Sequence, residues 1–143
     1  MREALNAGVR CAIRMAGMLY GTVWLACLAL YWGSLATGGL GGGAIMDYTL
    51  FVLYVVLPAA GVVASFLVGH PRGLGGGGWR LLSPLASAAL YHIFTGVTFG
   101  LSTALGLVNI APAAAPTVGL AGACALPGLI AGMVFDTRAW TRR

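Results

Sequence analysis

The sequence predicts an all-α polytopic membrane protein, a four-helix transmembrane bundle with both termini in the cytoplasm. Three observations carry this. Of 143 residues, 59% are hydrophobic and 8% charged, with a mean hydropathy of +0.92, and such a composition cannot clothe a soluble domain. Four apolar stretches, about 15–36, 48–69, 81–108 and 117–135, each approach or exceed the roughly 20 residues that cross a hydrocarbon core. The basic residues, finally, gather at alternate ends of these stretches. A transmembrane β-barrel would instead alternate polar and apolar residues in short segments, and these runs are continuous. The whole of 1–143 is therefore expected to be a single four-span membrane domain.

The first stretch follows Arg2, Arg10 and Arg14. Arginines, an apolar run and the small residues Ser34 and Ala36 imitate a signal peptide, but the run is too long for one, so a retained first helix is expected. Trp24-Leu25-Ala26-Cys27 only faintly imitates a lipoprotein acylation box. A glycine-rich turn, 38–47, leads into the second stretch, where Asp47 is expected to cap the helix and meet the positive end of its dipole. The third follows the loop 70–80, which carries Arg72 and Arg80, and the fourth follows 109–116 and ends in Arg138, Arg142 and Arg143. There is no lysine, and the other two connections hold no arginine. The positive-inside rule then puts both termini and loop 70–80 in the cytoplasm, with Arg10, Arg14, Arg72, Arg80 and Arg138 as the topology signal. The formal charge of +5 is accounted for in this way. A nucleic-acid surface would need a basic, water-facing segment that the chain lacks, so the expected partners are the lipid bilayer and other membrane subunits or a second copy.

Each stretch holds two small residues one turn apart: Gly17 and Gly21, Gly61 and Ser65, Gly96 and Gly100, Gly128 and Gly132. Such pairs permit close backbone approach, which in lipid is a principal source of helix association. A faint parallel repeat relates Leu19-Tyr20 to Leu90-Tyr91 and Leu57-Pro58 to Leu126-Pro127. Each proline removes a backbone donor and opens its helix one turn back, near Tyr54 and Ala123. Both positions lie near mid-membrane, and His92, eleven residues in from Leu81, lies at a similar depth. Steps of three and four from His92 pass through Thr95, Gly96, Phe99, Ser102, Thr103 and Gly106, a polar stripe expected to look into the bundle or a subunit interface. His92, Thr95, Ser102, Thr103, Pro58 and Pro127 form the candidate midplane polar site. Beside it stands the plainer reading of a histidine satisfied by a threonine or an opened carbonyl.

No enzyme is expected, because Glu3, Asp47 and Asp136 lie outside the stretches or at their ends and leave the histidine without a carboxylate. No cofactor or metal is expected either. The chain has no CxxC spacing, His70 falls in a loop, and Met15, Met18 and Met133 lie nearer the membrane faces. Cys27 and Cys124 share a depth that would permit a disulfide, although small apolar packing residues are the default. The expected function is that of an accessory or scaffolding subunit of a complex in the cell inner (plasma) membrane. The alternatives are a small oligomeric channel or carrier working at His92 and the Pro58/Pro127 breaks, and a holin-like pore former.

Overall fold

The computed structural model describes residues 2–39, 41, 43–70, 78–111 and 114–140, the side chains of 2–9, 78–79 and 136–140 excepted. Arg72, Arg142 and Arg143 lie outside the described residues, as do the side chains of Glu3, Asp136 and Arg138. Four helical rods make up the fold. The first helix is Arg2–Ala36, and the second rod runs Ala44–Gly69. The third, Leu82–Ala104, follows a short 3-10 turn at Gly78–Leu81, and the fourth helix is Ala115–Trp140. All four contain a stretch long and apolar enough to cross a membrane.

The ends follow local chemistry. The first and third helices both stop at a glycine in the left-handed conformation, Gly38 (φ +73°) and Gly106 (φ +70°). At each, the glycine N–H donates three residues back (Gly38 to Leu35, Gly106 to Thr103). The next N–H donates five back, Gly39 to Ser34 at 2.8 Å and Leu107 to Ser102 at 2.9 Å. These paired bonds satisfy the last carbonyls of a helix. They also end the third helix at Ala104 rather than near 108. Pro84 and Pro116 fall in first turns, where a missing N–H costs nothing. The second helix starts at Ala44 behind Gly43, with no side-chain cap bond. Asp47 is thus an exposed first-turn residue instead of the expected cap, because the glycine turn closes four residues earlier than the polarity pattern suggests.

Packing is tightest between the second and fourth helices. A Cβ on Gly69 would lie 2.6 Å from the Leu129 carbonyl oxygen, and one on Gly132 would lie 3.0 Å from the Gly69 Cα. One on Gly128 would fall 3.0 Å from the Val62 Cα and would overlap that residue's carbonyl. Only hydrogen fits at these points. The fourth helix also meets the third, where Gly122 faces Ala88 and the Pro84 carbonyl. The first helix lies on the second through Ala16, Tyr20, Ala60, Ala64 and Val68. A larger cluster of Cys27, Tyr31, Val52, Leu53, Leu57, Tyr91, Phe94, Phe99 and Ala121 joins all four rods. Within it Tyr31 meets Phe99 edge-on, ring centres 5.4 Å apart, an arrangement aromatic quadrupoles favour. Cys11, Cys27 and Cys124 are free thiols.

Candidate functional site

The third helix carries the polar residues singled out from the sequence, and its buried face is Tyr91, Phe94, Thr95, Thr98, Phe99 and Ser102. The hydroxyls on that face bond back along their own helix. Thr95 donates to the His92 carbonyl at 2.9 Å, Thr98 to Phe94 at 2.6 Å, and Ser102 to Thr98 at 2.5 Å. Back-bonding of this kind lets a hydroxyl enter an apolar interior with its donor satisfied. Ser102 also meets the Tyr31 hydroxyl at 2.7 Å. Two further side chains tie the first helix to backbone carbonyls of the third: Trp24 Nε1 donates to Leu90 at 3.2 Å and Tyr20 to Ser87 at 3.5 Å. Thr103 has another task. Its hydroxyl donates to the Ile110 carbonyl at 2.7 Å and accepts from the Ile110 N–H at 3.2 Å, clamping the segment after the helix.

His92 is exposed. Of the stripe expected to look into the bundle or a subunit interface, Thr95, Phe99 and Ser102 are inside the chain's own bundle, His92 and Gly96 are outside it, and Thr103 is half-buried. The observed and expected faces share three residues and are centred roughly 70° apart around the axis. The rings of Tyr91, Phe94 and Phe99 decide the difference, because their large surfaces fill the space between helices that a polarity stripe assigns to small groups. The other expected members do not converge on His92 either. Pro127 is exposed on the fourth helix and Pro58 is half-buried on the second.

The prolines also differ from one another. The fourth helix passes Pro127 without changing helix type, whereas Pro58 follows a π-helical turn, Val52–Val56, in which the Leu57 N–H reaches back to the Val52 carbonyl. Proline gives no N–H to continue the narrower pattern, and the wider turn sits directly before it. A second π turn, Gly96–Gly100, widens the third helix, with the Leu101 N–H bonded to the Gly96 carbonyl. Sequence reasoning found the first irregularity through Pro58 and missed the second, whose only local signal is the glycine at either end. Val52 and Leu53 from one π turn and Phe99 from the other enter the same core cluster. Tyr91, in that cluster, is buried with a hydroxyl that has no hydrogen-bond partner among the described residues.

The small-residue pairs divide into two groups. Gly61 lies against Ser87 and Tyr20, Ser65 accepts a bond from Ser83 at 3.3 Å, and Gly128 and Gly132 meet the second helix. A Cβ on Gly17, Gly21, Gly96 or Gly100 would have no neighbouring atom within 4 Å, so the chain itself makes no close contact there. His70 stacks on Phe66, ring centres 5.8 Å apart, away from His92. No group of three or more His, Cys, Asp or Glu side chains comes together among the described residues.

Among the described residues the geometry is therefore all-helical, with four helices suited to crossing a membrane and a polar group on the outside of the third. No family model matches the chain, and no curated protein or solved structure matches it.

Proposed function

We propose that this chain is a multi-pass protein of the cell inner membrane, with both termini cytoplasmic, that serves as an accessory or scaffolding subunit of a membrane complex. Assembly uses the outer face of the third helix. The supporting observation is the exposed His92, ten residues into Leu82–Ala104 and so about 15 Å along a span of roughly 30 Å. Ionisable side chains facing lipid at that depth are costly and rare, and even a neutral imidazole brings one donor and one acceptor that lipid tails cannot satisfy. One turn on, Gly96 leaves its backbone uncovered, so a neighbouring helix can approach closely enough to pair with the ring. The neighbour is another subunit or a second copy of this chain.

The alternatives draw less support. A channel or carrier centred on His92, Pro58 and Pro127 needs those residues to face one space, and they lie on different helices with two of them exposed. No observation favours a holin-like pore.

The test is purification from native membranes in gentle detergent, followed by mass determination. The expected particle is larger than the 14.6 kDa chain and falls apart when His92 is replaced by Leu. A lone chain in lipid nanodiscs, or an assembly unaffected by His92→Leu, would remove this face from the function.

A further inference from the structure

We propose that a groove between the first and third helices holds one acyl chain of an anionic phospholipid, with the headgroup bound by Arg10 and Arg14. The groove encloses about 260 Å³ and is walled by Ile13, Gly17 and Tyr20 from the first helix, Ser65 from the second, and Ser83 and Ala86 from the third. Small residues create it. A Cβ on Gly17 would meet nothing within 4 Å, so the space belongs to neither wall.

Its position follows from the contacts between the first and third helices. Tyr20 bonds to Ser87, Trp24 to Leu90 and Tyr31 to Ser102, so the two helices run parallel with an offset of 66–71 residues. Tyr20 and Trp24 thereby close the deep end. At the other end the offset sets Arg14 level with Leu81, beside the wall residues Ile13 and Leu82. Arg10 stands one turn before Ile13 and continues the helical face formed by Ile13, Gly17 and Tyr20. Both Arg10 and Arg14 are exposed.

Shape and charge select the occupant. From Ile13 to Tyr20 the groove runs about 10 Å, most of the roughly 15 Å depth of one leaflet's hydrocarbon. A single alkyl chain is slender enough to lie along it. Cationic side chains at the mouth complement an anionic headgroup at the membrane surface. The Ser83 hydroxyl is engaged with Ser65 and the Tyr20 hydroxyl with the Ser87 carbonyl, and the rest of the wall is mostly apolar, so the interior suits an apolar guest.

The proposal rests on the chain spanning a bilayer and not on assembly through His92. The full chain is first recovered from membranes washed with alkali, then mixed with vesicles of equal parts phosphatidylglycerol and phosphatidylcholine. After transfer to mild detergent, the retained lipid is read by native mass spectrometry. One phosphatidylglycerol per chain is expected, with a preference over phosphatidylcholine of roughly fivefold for each arginine, or roughly twenty-fivefold for the pair. Arg10→Gln with Arg14→Gln should abolish the preference, and Gly17→Leu should displace both lipids at unchanged helical content. If Gly17→Leu does not fold, Ala86→Phe fills the groove from the opposite wall and is judged by the same readout. Equal retention of the two lipids by the native chain, or undiminished retention by the filled variant, overturns the groove. A chain that washes off the membrane overturns the spanning topology as well, which separates the two failures.

Discussion

Replacing Gly128 by Ala tests the central packing contact, with Gly21→Ala as its partner experiment. Both glycines lie within helices and, taken alone, exchange for alanine would stabilise each helix by about 0.5–1 kcal/mol. Their surroundings are opposite. The new methyl at Gly21 enters open space, while at Gly128 it lands within 3.0 Å of the Val62 Cα and overlaps that residue's carbonyl. Backbone cannot rotate aside as a side chain does, so the second and fourth helices must separate or shift. Overpacking of this kind costs about 1–3 kcal/mol, and loss of neighbouring contacts adds to it. The net expectation is a gain of up to about 1 kcal/mol for Gly21→Ala and a loss of about 1–2 kcal/mol for Gly128→Ala. At about 2–4 °C per kcal/mol for a chain near this length, Gly128→Ala should melt roughly 2–12 °C below Gly21→Ala. Thermal unfolding of the monomer in detergent, followed by far-ultraviolet circular dichroism, measures that difference. Equal midpoints, or a more stable Gly128→Ala, would show that the second and fourth helices do not cross at this glycine.

Two other outcomes are expected. Tyr31→Phe should cost about 1 kcal/mol, because it deletes the buried bond to Ser102. A double-mutant cycle with Ser102→Ala should return a coupling of similar size, and a coupling near zero would show that the pair contributes nothing. Single cysteines placed in a cysteine-free chain at the 70–80 loop and in the 105–111 segment should label from opposite sides of intact cells, the former only from the cytoplasm. Labelling of both from one side would refute the topology drawn from the arginines.

The extent of the helices was legible because lipid imposes one demand on every backbone group. A span must satisfy its own N–H and C=O groups, so a continuous apolar run is enough to mark it. The expected ends were less secure: the start at 15 became Arg2, 48 became Ala44 and 108 became Ala104. Helix ends depend on which glycine adopts positive φ, and a glycine-rich sequence supplies several candidates. The candidate site was legible only in part. Thr95 and Ser102 are inside as expected, but their hydroxyls are satisfied locally, and His92 lies on the outer face. In a soluble helix the polar face identifies solvent. In an apolar helix several faces are nearly equivalent in hydropathy, so periodicity does not choose among them.

Composition and arginine placement alone determined that the chain is built of four apolar helices and carries an asymmetric charge suited to a membrane. Only the tertiary structure decided which small residues are contacts. Gly128 and Gly132 press against the second helix, while Gly17, Gly21, Gly96 and Gly100 face open space. All four motifs offer the same absence of side chain, but contact requires a partner surface at the same depth and direction. Tyr31, Tyr91, Phe94 and Phe99 set that direction by filling the centre of the bundle, and in doing so they turned His92 outward.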